Sequence, residues 1–211
     1  MTSSLPPLLT SADLPWPELQ AAALDGDVYR LDRAFCSIAE FDVPWRRAAA
    51  VAPVFGDEFV VARTSAAWVW GAIITAPTTH EGYRAVCLRD DAREAPLASG
   101  ADPVVPIRRW RDSPVGMHVS EVVLDDCDVV DFGAVRVTSP VRTVVDLVRA
   151  DAWGSDIAAA VRGLCAEHRV DRAACDTVLD RRRNLPHKRR ARGRLEAILS
   201  MTQPVSAGSR R

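Results

Sequence analysis

The thirteen residues Val137 to Arg149, VTSPVRTVVDLVR, constrain the fold of this chain more than any other stretch. Val135 and Val137 alternate with polar neighbours as a strand does, and Thr138 or Ser139 is suited to cap a helix whose first position is Pro140. Val141, Val144, Val145 and Val148 then recur on one helical face. Arg142, Asp146 and Arg149 fall three and four apart, so one carboxylate is held between two guanidinium groups. The bland reading is an amphipathic helix whose Asp146 is neutralised by its neighbours. Strand and helix therefore meet at residue 140.

With 211 residues, 48% of them hydrophobic and 26% charged, the chain is long enough for one substantial core or two small ones. The opening MTSSLPPLLT has no basic start, and Pro6 and Pro7 interrupt its apolar run, so a signal peptide is not expected. No segment reaches the roughly 20 apolar residues that span a bilayer. The five cysteines, Cys36, Cys87, Cys127, Cys165 and Cys175, are odd in number and mostly far apart, which fits reduced thiols in a cytoplasm.

A net charge of −1 hides a strong polarity along the chain. Before Arg30 there is no basic side chain, yet Asp13, Glu18, Asp25 and Asp27 are acidic. Toward the other end Arg181, Arg182, Arg183, Lys188, Arg189, Arg190, Arg192 and Arg194 follow one another without an intervening acid. Such an arm attracts phosphate by charge and counterion release; the commoner reading is a solvated helix face or a tail. Lys188 is the only lysine. The positive charge is almost wholly guanidinium, which suits bidentate contacts to phosphate or carboxylate.

Thr10 or Ser11 can cap a short helix through Leu14, and Pro17 can open another through Leu24, ending at the turn Asp25-Gly26-Asp27. Val28, Arg30 and Ala34 to Ile38 suggest two short strands, and the order resembles the back half of a winged helix. A helix is expected from Pro44, a strand over Phe59 to Ala62 and a helix from Ser65. Candidate strands follow at Arg84 to Leu88, Ile107 to Trp110, Met117 to Leu124 and Val129 to Val137, with a turn at Asp131-Phe132-Gly133. From Pro140 onward the pattern is helical. The expected fold is α+β: a degenerate or truncated winged-helix-like module over 1–42, then an α/β domain over 43–200 with a mostly antiparallel sheet and a helical C-terminal region, then a disordered tail over 201–211.

In ARTSAAWVWGA, residues 62–72, Ala66 and Ala67 allow close packing, Trp68 and Trp70 supply large buried area, and Gly71 is a helix stop. A base-stacking role for the tryptophans is the rival to a core role. Catalytic signals are weak. A metal-dependent nuclease needs carboxylates and normally a lysine near the second acid, whereas Lys188 has no carboxylate two residues before it. Asp125, Asp126, Asp128 and Asp131 offer oxygen ligands, with a polar hairpin as the bland reading. Cys165, His168 and Cys175 lack a recognised zinc spacing, and His80 and His118 have no sequence-local partner.

In this order, LPWPELQAAALDGDVYRLD, TSAAWVWGA, VTSPVRTVVDLVR and RRNLPHKRRARGRLE resemble the AbiEi family of type IV toxin–antitoxin antitoxins, in a short actinobacterial-type branch. The likeness runs from about Leu9 to Leu199 and includes Ser65, Trp68 and Gly71 in one motif and Thr138, Pro140, Arg142, Thr143 and Asp146 in another. The resemblance implies a winged helix that binds the antitoxin's own promoter and an α/β domain that restrains a nucleotidyltransferase-like toxin. It implies no catalysis and no cofactor, and from the residues themselves no metal site is expected. A full winged helix has one further helix before the pair read here. The segment from Pro17 to Leu24 has no basic residue, so Arg30, Arg33, Arg46 and Arg47 and the C-terminal arm are the candidate nucleic-acid contacts. A stand-alone nucleic-acid-binding protein acting through the arm is the alternative, and a nuclease the less favoured one.

Overall fold

The computed structural model describes residues 6–85, 116–181 and 185–202; the expected strand at Ile107 to Trp110 and almost all of the 201–211 tail lie outside them. The chain forms two compact units, Met1–Ser139 and Pro140–Arg211. Their boundary falls where the sequence changes to uninterrupted helix. No separate unit ends at residue 42: the N-terminal elements share a unit with the main sheet.

In the first unit, α1 (Trp16–Asp25) carries proline in its first turn and ends at Gly26, whose φ of 85° favours glycine and whose N–H donates to the Ala22 carbonyl. The expected helix at residue 10 is instead a single turn. Asp13 accepts hydrogen bonds from both the amide and the hydroxyl of Thr10, and the Asp13 and Leu14 amides donate to the Thr10 carbonyl, but Pro15 has no N–H to carry the helix further. Strands β1 (Val28–Leu31) and β2 (Ala34–Ser37) form an antiparallel ribbon, with Arg30 opposite Phe35 and Leu31 opposite Ala34. Side chains alternate across it. Val28 and Phe35 pack with Leu9 and Leu19, while Leu31 and Ala34 join the main core. The ribbon thus has an apolar residue on each face and belongs to two clusters.

The main core lies between α2 (Pro44–Phe55), α3 (Arg63–Val69) and one face of a five-stranded sheet. The sheet contains β3 (Phe59–Val61), β4 (His80–Ala85), β5 (Met117–Val122), β6 (Val129–Asp131) and β7 (Arg136–Thr138), in the order β5-β4-β3-β7-β6. Phe59 and Val61 face the main core, and Val60 between them meets Ala62 and Tyr83 in a second cluster. The expected antiparallel majority does not occur: β3–β4 and β6–β7 are antiparallel, but β3–β7 and β4–β5 are parallel. The connections β4 to β5 and β3 to β7 are long enough for a crossover, which parallel pairing requires. The segment from Val129 to Val137 is two strands, β6 and β7, turned as expected at Asp131-Phe132-Gly133, where the Gly133 amide donates to Asp131.

The second unit is helical: α4 (Pro140–Arg149), α5 (Ser155–Glu167), α6 (Arg172–Asp180) and α7 (Lys188–Thr202). Residues 142–148 of α4 are all buried, Arg142 and Asp146 included. This amphipathic helix is a central element packed by the other three. No helix among the described residues is long and apolar enough to cross a membrane.

At Gly82 in β4 an added Cβ would lie 2.7 Å from Cε1 of Phe55, whose ring is 2% exposed and cannot swing away. Gly82→Ala is expected to cost about 1–3 kcal/mol through overpacking, read as a lowered urea midpoint at unchanged slope.

Candidate functional site

Arg46 and Arg47 open α2 on consecutive positions, and both are buried. The Arg47 guanidinium donates to both oxygens of Asp42, at 2.7 and 2.5 Å, and to the carbonyls of Trp68 and Ile73, at 2.6 and 2.9 Å. Arg46 binds the Glu40 carboxylate and the Phe41 carbonyl. These bonds hold residues 40–42 against the start of α2. They also remove both arginines from the set able to grip a phosphate from solvent. The loop so held displays apolar side chains: Ile38 is 68% exposed, Phe41 83% and Trp45 49%, with Leu24 at 90% at the end of α1. Their neighbours in sequence are Asp25, Asp27, Glu40 and Asp42. Ile38, Phe41 and Trp45 thus fall within one eight-residue stretch, and contiguous apolar patches mark contact surfaces. Of the ribbon arginines, Arg30 lies 5.5 Å from the Trp16 ring and donates to the Asp32 carbonyl, and Arg33 is exposed at the turn.

A second arrangement brings together Asp32, Ser65 and His80, which sequence reading left apart. Ser65 Oγ lies 3.2 Å from His80 Nδ1, and His80 Nε2 lies 3.3 Å from Asp32. The three residue types are those of a hydrolytic triad, but the serine is on the wrong nitrogen and fully buried, and its oxygen accepts the Glu81 amide. A nucleophile there cannot meet a substrate. The chemistry available is structural: the chain of bonds ties the ribbon turn, where Asp32 adopts a φ of 56°, to α3 and β4. Only the packing of the ribbon turn, α3 and β4 brings these positions together, so no local signal could have revealed them. Of the other motif residues, Trp68 and Thr138 are also buried, whereas Gly71 is exposed. Trp68 is 1% exposed, Trp70 donates from Nε1 to the Thr138 carbonyl at 2.8 Å, and Gly71 follows α3 with a φ of 87°.

In the helical unit Asp146 is held as its spacing predicts, with Arg142 Nε at 2.9 Å and Arg149 Nη1 at 3.5 Å. The basic arm is different from a free charge run. Arg194 donates to the carbonyls of Val148 and Ala150, at 2.9 and 2.7 Å, and Arg190 to that of Arg149, at 3.0 Å. These carbonyls end α4, where a helix leaves its acceptors unfilled and carries partial negative charge. Arg192 pairs with Asp176 and Asp180, and Lys188 with Asp180. Arg189 is exposed and Arg181 caps α6 from its backbone; Arg182 and Arg183 lie outside the described residues. The sequence shows the acids Asp176 and Asp180 just before the arm, but not that α6 folds back alongside it.

Among the described residues no group of three or more His, Cys, Asp or Glu side chains is placed to hold a metal ion. Asp125 and Asp128 instead form a reciprocal capping box around a short 3-10 turn. Burial pushes the Cys165 thiol up to about 11 and that of Cys175 up to about 12.

No protein-family model and no curated protein matches this chain. The chain is similar at low level to the RV2827C protein from Mycobacterium tuberculosis, with a TM-score of 0.41 and 16% identity over 94% of this chain and 78% of that one.

Asp146→Ala is expected to destabilise the protein by about 3–5 kcal/mol, because Arg142 is left buried without its carboxylate. The double variant Arg142→Met with Asp146→Leu should recover most of that loss in urea denaturation. Hydrogen bonds from Arg190 to Asp151 and from Lys188 to Asp180 hold both carboxyls below their usual value. Their contribution is present above the unfolded-state pKa and disappears as pH falls through the lower folded one. The melting temperature should therefore drop below about pH 4, and Lys188→Met should flatten part of that drop.

Proposed function

We propose that this chain acts by binding rather than catalysis, as an antitoxin-like regulator that opposes a nucleotidyltransferase-type toxin and represses its own promoter. The observation that carries this reading is the clamped loop of residues 38–45. Two buried guanidinium groups hold it while Phe41 and Trp45 face solvent, an arrangement suited to protein contact at low ordering cost. The order of motifs along the chain supports the same family. The burial of Ser65 and His80 argues for a binding role over a hydrolytic one.

For DNA, α1 and the β1–β2 ribbon correspond to the back half of a winged helix, a small module with its own apolar cluster around Leu19 and Phe35. Arg30 and Arg33, at the ribbon turn, are its exposed cations. The rival reading, a sequence-blind nucleic-acid tether through the C-terminal arm, is weakened because Arg190, Arg192, Arg194 and Lys188 are bonded within the helical unit.

The test is growth rescue on co-production with the cognate nucleotidyltransferase-type toxin. Native protein should restore colony formation, and Phe41→Asp combined with Trp45→Ser should lose protection by about tenfold or more while keeping its circular dichroism. Full protection by the double variant would overturn the contact face, and no protection by native protein would overturn the antitoxin reading. In band shifts on the gene's own upstream DNA, Arg30→Ser with Arg33→Ser should abolish the specific complex.

A further inference from the structure

The helical unit bears a groove of about 380 Å³, within the size range of small-molecule sites. Trp153, Ala158, Gly193 and Ala197 give it an apolar lining, and Arg162, Arg190 and Arg194 line it with charge. Gly193 stands inside α7, where glycine weakens a helix, yet a Cβ added there would meet nothing within 4 Å. Packing among the described residues therefore does not require a glycine at this position. Its effect is to leave bare backbone open to the groove.

The cations differ in how far they are already engaged. Arg194 lies 4.4 Å from the Trp153 ring centroid and donates to the end of α4. Arg190 binds the Arg149 carbonyl and Asp151 through Nη2, while its buried Nε has no acceptor. Arg162 is exposed and has no hydrogen bond or ion pair among the described residues. Residues 140–211 as a whole carry 15 Lys and Arg against 8 Asp and Glu, so the surroundings favour an anion.

The geometry points to a binding site for a small anion with an apolar body, such as an aromatic carboxylate or sulfonate. The flat body lies over Trp153, Gly193 and Ala197, and the guanidinium of Arg162 takes the anionic group by paired N–H donors. This site goes beyond the antitoxin reading and does not rest on it.

The experiment is fluorescence titration of the full chain with 8-anilinonaphthalene-1-sulfonate and, in parallel, with the uncharged N-phenyl-1-naphthylamine. The sulfonate should bind saturably, at least about tenfold tighter than the uncharged probe, and more weakly as salt is raised. Gly193→Trp, which fills the groove, should abolish that binding, and Arg162→Gln should weaken it by about fivefold or more. Ala197→Phe, at a second exposed position, is expected to block as Gly193→Trp does, and each variant should keep the native circular dichroism. Equal affinity for the two probes would overturn the proposal, as would sulfonate binding that survives both groove-filling variants or is indifferent to Arg162→Gln.

Discussion

The guanidinium of Arg47 reaches the Asp42 carboxylate, the Trp68 carbonyl and the Ile73 carbonyl from one buried position, with the Trp68 ring centroid 5.2 Å away. One side chain therefore joins the loop before α2, the end of α3 and the turn that follows it. The main core of the N-terminal unit depends on this. With α2 and α3 fixed to each other, Val51, Phe55, Ala66 and Trp68 meet the sheet as one surface. Planarity suits arginine to the task, because its five donors serve acceptors in several directions, where a lysine ammonium would act as a compact point charge.

The same device recurs in the helical unit with a different target. There Arg190 and Arg194 reach from α7 to carbonyls at the end of α4, filling acceptors that the helix cannot fill itself. A run of basic residues in a sequence is ambiguous for this reason. Phosphates in solution and the carbonyl end of a neighbouring helix offer guanidinium the same chemistry, and only the packing of the helices decides between them.

Much of the fold was legible because it is local. The helix from Pro140, the close at Gly71, the ribbon over residues 28–37 and the Asp131-Phe132-Gly133 turn all follow from spacing, caps and turn residues within a few positions. The neutralised Asp146 was equally legible, since its partners sit one helical turn away. What escaped was non-local. The parallel pairing of β3 with β7 and of β4 with β5 depends on crossovers that no short pattern announces. The relay of Asp32, Ser65 and His80 draws on three separate elements, and the clamp on Asp42 by Arg47 reads in sequence as two exposed charges five residues apart. For the candidate contacts the lesson is similar: residue type identified the cations, but burial and internal partners decide which of them face solvent.

Nearly all of these fasteners are guanidinium groups, which stay protonated to pH values above about 12. Alkali therefore does not loosen them. The helical unit has its weak point elsewhere, in the thiols of Cys165 and Cys175, whose ionisation burial opposes. A buried thiol favours the fold below its unfolded-state pKa and ceases to do so as pH rises toward the higher folded value. Together with the one lysine, Lys188, two small, nearly apolar side chains are thus where alkali acts on this unit, and not its many guanidinium charges.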